Sequence, residues 1–192
     1  MKLKFTLKSL AVVASTLAAS PALAATTQQT APAVPSVTLY AQTYGSWVYR
    51  CTDATADAGQ HAVCQVAQEM GVQHDGHIAP IALIAFSRPA GQAHYDVSAA
   101  VPLGILLPAG IQLSVDQDSA IDKSVDFCRQ DGCFLLPQPA DELTRAFRSG
   151  KTGHLTFKFV NGHPFTVNFS LAGFSDAMKA FDSGKLPPVV KS

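Results

Sequence analysis

The sequence has little charge and no cluster of charges of one sign. Charged residues make up 15% of its 192 residues, and 14 Lys plus Arg balance 14 Asp plus Glu. Nucleic acids and anionic lipid surfaces are bound by clustered lysine and arginine side chains. The absence of such clusters argues against a nucleic-acid partner and against electrostatic binding to a membrane surface.

The local motifs of common enzymes are also missing. The four cysteines form no C-x-x-C pair, which disfavours a thiol oxidoreductase. Gly150-Lys151-Thr152 resembles the end of a phosphate-binding loop, but Arg145 stands where that loop requires its first glycine. No sequence-local signature of serine, histidine and carboxylate is present. We therefore predict a non-enzymatic protein with no catalytic residues, no metal and no cofactor.

Residues 1–24 have the features of a secretory signal peptide. Lys2, Lys4 and Lys8 precede a short apolar core, and a small-x-small cleavage site ends at Ala24. The core is well short of the roughly 20 apolar residues that a membrane-spanning helix needs. We expect cleavage near Ala24, delivery to the periplasm or the exterior, and no membrane span in the mature form. Removal of the signal leaves eleven basic against fourteen acidic residues, a net charge of about −3.

The mature chain divides into three parts. Residues 25–42 are rich in Ala, Thr, Gln and Pro and have no periodicity, so we predict a flexible leader. Residues 43–184 are long enough for a single domain with its own core. Residues 185–192 contain two adjacent prolines, and we expect a loose C-terminal tail.

The four cysteines predict two disulfide bonds, because exported proteins usually oxidise such sets. Three connectivities are possible. We favour Cys51 with Cys64 and Cys128 with Cys133, since each pair then closes its own hairpin. In each hairpin one register also places apolar side chains opposite one another.

Periodicity predicts about ten short strands and two small helices. Ile111, Leu113 and Val115 alternate with polar residues, which is typical of a half-buried strand. Residues 78–86 are nearly all apolar, which predicts an interior strand covered on both faces. Residues 141–149 carry the apolar stripe of an amphipathic helix. The pattern favours a mainly β fold, an antiparallel two-sheet β-sandwich with two short helices, with a β-barrel as the alternative.

Several segments occur in an order shared with a known family. They are Tyr44-Gly-Ser-Trp47 followed by Cys51 and Cys64, then Val101 to Gly110, Phe127-Cys128 to Cys133-Phe134, and Ser170 to Phe174. Together they resemble the invasion-associated locus B family of exported bacterial proteins. The resemblance covers roughly residues 44–181. It implies an exported, mainly β protein, associated in some pathogens with host-cell entry, and it implies no catalytic residues.

Two functions are compatible with these observations. The first is an exported non-enzymatic binding or envelope protein whose partner is an unknown protein or a component of the envelope or host surface. Its expected binding loops are residues 53–59 and 71–77. The alternative is a metal-dependent hydrolase that uses a cluster of His61, His74 and His77. A zinc site needs three or four donors in a tetrahedral array, so a solvated loop is the favoured interpretation of these histidines.

Overall fold

The structure, a computed structural model, describes residues 38–53, 62–74 and 76–190, without the side chain of His74. The predicted signal peptide, its cleavage site near Ala24, most of the predicted leader, and His61 lie outside these residues. So does most of the expected binding loop at 53–59. Neither helix in the described part of the chain is long and apolar enough to cross a bilayer.

The described chain contains eleven strands, two α-helices and one 3₁₀ turn. The strands are β1 (Leu39–Tyr44), β2 (Trp47–Thr52), β3 (Val63–His74), β4 (His77–Ser87), β5 (Asp96–Val101), β6 (Ile111–Val115), β7 (Ile121–Lys123), β8 (Phe127–Arg129), β9 (Gly132–Pro139), β10 (Thr152–Lys158) and β11 (Pro164–Ser170). The helices are α1 (Asp141–Ser149) and α2 (Phe174–Asp182), and the 3₁₀ turn spans Leu107–Ala109.

The strands form two antiparallel sheets that share one core. The larger sheet has the order β1-β2-β3-β4-β5-β9-β8, and the smaller has the order β11-β10-β6-β7. Within the described residues, the first and last strands of each sheet are not paired with each other, so both sheets are open. The predicted β-sandwich with two short helices is confirmed, and the barrel alternative is wrong.

Trp47 lies at the centre of the core. Its buried ring packs edge-to-face against Phe86 of β4, Phe147 of α1 and Phe174 of α2. Its indole N–H donates to the carbonyl oxygen of Ser170 in β11, at 3.1 Å. Such aromatic pairs add about 0.5–1.5 kcal/mol each to the burial of their area. One side chain therefore contacts both sheets and both helices.

The helix α1 has the predicted bounds because its sequence carries clear local signals. Leu143 and Phe147 are buried on one side, as the apolar stripe predicts. The helix ends at Gly150, whose N–H donates to the carbonyl oxygen of Ala146 at 2.9 Å. A side chain at Gly150 would collide with Val115 of β6, so this glycine also permits the close packing of helix and sheet.

The predicted leader, residues 25–42, is wrong at its end. Residues 39–42 belong to β1, which pairs with β2 from Leu39↔Thr52 to Tyr44↔Trp47. The apolar and polar residues of this stretch do not alternate, so local sequence contains no strand signal. The strand forms because β2 offers it a complete set of hydrogen-bonding partners.

The predicted loose tail is also wrong, at residues 188–190. The N–H of Ala41 donates to the carbonyl oxygen of Pro188 at 3.0 Å, and the N–H of Val190 donates to that of Leu39 at 2.8 Å. The end of the chain therefore covers the outer edge of β1. Edge strands have unpaired backbone groups that favour such a cover, and this requirement is invisible in the composition of the tail.

The prediction of an interior strand over residues 78–86 is wrong for the first half of that range. Phe86 is buried, whereas Ile78 is 77% exposed. The reason is that β5 pairs with β4 only from Leu83 to Ser87, and β2 pairs with β3 only as far as Ala67. Residues 71–74 of β3 and 77–80 of β4, which we call the arm, therefore extend beyond the sheet as a two-stranded ribbon.

The core cluster leads to a stability prediction. Replacing Phe147 by alanine should lower the free energy of unfolding by about 3–5 kcal/mol, since a fully buried ring is removed and the rigid surroundings leave a cavity. Val160→Ala is the matched control, because Val160 is 71% exposed and should change stability by less than about 0.5 kcal/mol. Urea denaturation measures both values. Equal midpoints for the two variants would contradict the central role of the cluster.

Candidate functional site

A row of four apolar residues that ends at a glutamate crosses the outer face of the larger sheet, the face turned away from the core. Glu69, Leu83, Ala100, Phe134 and Phe127 lie opposite one another in register on β3, β4, β5, β9 and β8. Directly opposed residues point to the same side of a sheet. On β4, β5 and β9 the neighbours of these residues along the strand point inward and are part of the core. The row is therefore a continuous band across five strands.

A groove with a volume of about 540 Å³ lies over this row and is open to solvent. Leu83, Ala100 and Phe134 line it, and Glu69 and Leu103 are among its other lining residues. Because Ala100 has only a methyl group, it leaves a depression between the two larger side chains. The volume is within the range of roughly 300–1,000 Å³ that is usual for ligand sites.

Aromatic and charged contacts hold one wall of the groove. Phe127 and Phe134 stack with their ring centroids 5.3 Å apart, and the guanidinium of Arg129 lies 4.6 Å from the centroid of Phe134. Arg129 also donates two hydrogen bonds to the carboxylate of Asp131, at 2.6 and 2.9 Å. The side-chain hydrogen bond from Arg129 holds the pKa of Asp131 below its usual value. Asp131 is therefore a paired carboxylate at neutral pH.

Two disulfide bonds join neighbouring strands, and one of them lies in the hairpin that forms a wall of the groove. The Sγ atoms of Cys128 and Cys133 are 2.06 Å apart across the β8–β9 hairpin, and those of Cys51 and Cys64 are 2.08 Å apart between β2 and β3. In both pairs the cysteines are directly opposed in register. This connectivity is the one that the hairpin spacing favours. The bond between Cys128 and Cys133 fixes the β8–β9 hairpin, whose tip borders the groove.

Of the three histidines in the alternative metal site, the structure describes the side chain of His77 alone. His77 is exposed and lies opposite His74 in the β3–β4 register, and His61 is outside the described residues. No three His, Cys, Asp or Glu side chains within the described residues are placed to hold a metal ion. The expected binding segment at 71–77 is not a loop where it is described, because residues 71–74 belong to β3 and His77 begins β4.

A second polar cluster surrounds Asp182 at the end of α2. One carboxylate oxygen accepts hydrogen bonds from Arg88 and Tyr95, both at 2.7 Å, and the other accepts from Arg148 at 3.1 Å. Burial acts to raise the pKa of Asp182, but the three hydrogen bonds outweigh it, and the pKa lies below its ordinary value. Arg88 and Tyr95 belong to the loop between β4 and β5, and Arg148 belongs to α1, so the cluster joins α2 to that loop and to α1.

The groove residues could not be selected from the sequence. Leu83, Ala100 and Phe134 are far apart along the chain, and only the strand order β4-β5-β9 brings them into one row. The available signal was the apolar run of β4, which indicates burial but not what covers it.

Comparisons with known proteins agree on the family and the fold. The family model described as Invasion associated locus B (IalB) protein matches residues 47–182, well over half of the chain. The crystal structure of invasion associated protein B from Bartonella henselae has a similar fold, with a TM-score of 0.62 and 24% sequence identity. The alignment covers 74% of this chain and 96% of that one. No curated protein matches the chain.

The disulfide bonds give a prediction with two readouts. Non-reducing peptide mapping of the exported protein should recover Cys51 joined to Cys64 and Cys128 joined to Cys133. Replacing both Cys51 and Cys64 by serine should lower the free energy of unfolding by about 3 kcal/mol, and replacing the other pair by about 2 kcal/mol, because the first bond closes the longer loop. Peptides that join Cys51 to Cys128, or four free thiols, would refute this pairing.

The Asp182 cluster predicts a pH dependence. Because the pKa of Asp182 is lower in the folded state than the unfolded value of about 4, its contribution to stability is present above that pH and is lost as the pH falls through the folded pKa. Asp182→Asn should cost about 1 kcal/mol at pH 7, because solvent screens these partly exposed ion pairs. The difference from wild type should shrink below about pH 4. Thermal melts between pH 2 and pH 7 measure it. The exposed Asp118→Asn is the control, and a difference for Asp182→Asn that stays constant with pH would contradict the assignment.

Proposed function

We propose that this protein is an exported, non-enzymatic binding protein of the bacterial envelope, and the premise is its family: the chain belongs to the invasion associated locus B proteins. The two disulfide bonds are compatible with an oxidising compartment outside the cytoplasm. In this proposal the signal peptide is removed near Ala24, and the mature protein works in the periplasm or outside the cell.

The uncovered apolar groove is the observation that carries the proposal. Soluble monomers rarely leave large apolar patches in contact with water, and those that remain are usually interaction sites. Here Leu83 and Phe134 form an apolar surface, and Leu103, beside them, is 51% exposed. Each Å² of apolar surface that a partner covers contributes about 25 cal/mol. A bound partner would therefore complete a surface that the fold leaves open.

The shape of the groove suggests how a partner binds. Its described lining carries two carboxylates, Glu69 at one end of the row and Asp131 at the border, and that of Asp131 is already paired with Arg129. A partner segment rich in apolar side chains fits such a surface better than a charged one. We propose that the segment belongs to a protein of the envelope or of the host surface, and that binding contributes to envelope function or to host-cell association.

The proposal is tested by site-specific crosslinking in intact cells. A photoreactive amino acid at Leu103 should crosslink a specific protein, because this side chain borders the groove and is exposed. The same amino acid at Arg145, an exposed position on α1, is the matched control and should not give that product.

A blocking substitution then locates the contact. Ala100→Arg fills the depression and places a charge on the apolar floor, so the Leu103 product should fall at least tenfold while the thermal midpoint changes little. Identical products from Leu103 and Arg145, or a product that Ala100→Arg leaves unchanged, would show that the groove is not the binding site.

A further inference from the structure

The arm has two open edges. β2 pairs with β3 only as far as Ala67, and β5 pairs with β4 only from Leu83 onward. Among the described residues, no other backbone group bonds to residues 71–80. A ribbon of two strands alone is only marginally stable in water, and open edges favour pairing with another strand.

The register shows which backbone groups point out of each edge. In an antiparallel ladder, hydrogen-bonded pairs alternate with non-hydrogen-bonded pairs, whose Cα atoms are closer, at roughly 4.5 Å. The Cα atoms of Cys51 and Cys64 are 4.1 Å apart, so Cys64 and every second residue after it along β3, as far as Val72, bond to β4. Gln73 with Ile78, and Gly71 with Pro80, are the non-hydrogen-bonded pairs. The N–H and C=O groups of Gly71 and Gln73 therefore point out of the β3 edge. The N–H of Ile78 and the C=O groups of Ile78 and Pro80 point out of the β4 edge.

The two edges are not equivalent. Pro80 has no N–H, so the β4 edge lacks a donor that an added strand would need. The β3 edge keeps the donor and the acceptor of both Gly71 and Gln73. Val72, between them, is 39% exposed. The β3 edge of the arm is thus the one prepared for strand addition.

We propose that two copies of this chain pair through the β3 edges of their arms, antiparallel and about a twofold axis. One register lets both outward-pointing residues of each copy form their hydrogen bonds. It places Gly71 opposite the partner's Gln73 and Gln73 opposite the partner's Gly71. The interface is then isologous, as in most homodimers.

The exposure of Val72 favours a second copy as the occupant. Val72 lies midway between Gly71 and Gln73, so it falls on the twofold axis and faces the partner's Val72. Side chains in such a non-hydrogen-bonded pair are close neighbours. The exposed Val72 of each copy would therefore be covered by the Val72 of the other copy. This pairing uses neither Leu83 nor Phe134, so it is independent of the proposed groove function.

The oligomeric state of the mature protein tests the proposal. Wild type should be a dimer in sedimentation equilibrium at micromolar concentration. Gln73→Pro should raise the dissociation constant at least tenfold, because it removes an outward N–H and leaves every hydrogen bond within the hairpin. Ile78→Pro, directly opposite on the other edge, is the matched control and should remain dimeric. A wild-type monomer up to sub-millimolar concentration, or an unchanged dimer of Gln73→Pro, would overturn the proposal.

A crosslink tests the register without depending on stability. All four native cysteines are in disulfide bonds, so a new cysteine is the only thiol free to react. Val72→Cys should form a disulfide-linked dimer under mild oxidation, since the paired Cα atoms would be roughly 4.5 Å apart. Gln73→Cys should not, because it faces the partner's Gly71. Equal crosslinking of both variants, or none of Val72→Cys, would refute the pairing.

Discussion

The burial of Trp47 is the interaction on which the rest of the structure depends. Its ring contacts aromatic side chains from β4, α1 and α2, and its N–H is bound by a carbonyl oxygen of the smaller sheet. A sandwich needs its two sheets to be held at a fixed separation and angle. Here one large side chain with a single polar atom does both, because the ring fills the space and the hydrogen bond sets its orientation.

This arrangement also determines what remains uncovered. Both helices contribute their apolar side chains, including Phe147 and Phe174, to the interior beside Trp47. Among the described elements, none is left to cover the outer face of the larger sheet, where Leu83, Ala100 and Phe134 form their row. The packing of both helices against the inner face therefore fills the core and also leaves the groove on the outer face uncovered. The polar cluster at Asp182 reinforces this packing by holding α2 in place.

Sequence reasoning succeeds where the signal is local and fails where it is not. The helix α1 follows from the spacing of Leu143 and Phe147 and from the glycine that ends it. The burial of alternate residues in β6 follows from Ile111 and its neighbours. The exposure of Ile78 does not follow from anything nearby, because an apolar run looks the same whether or not β5 reaches it. The pairing of residues 188–190 with β1, and the row that forms the groove, likewise depend on strand order, which contacts distant in the chain decide.

The covered edge of β1 has a practical consequence. Leu39 and Val190 are joined by a backbone hydrogen bond, so the two ends of the described domain leave it side by side. Two strands lie between β1 and β4, the strand that contributes Leu83 to the groove and Ile78 to the arm. The centres of β1 and β4 are therefore about 14 Å apart. A fused reporter or an immobilising tether attached at Leu39 or Val190 would therefore lie at the margin opposite β8. The short linker needed to join these two positions makes the described domain a natural candidate for circular permutation.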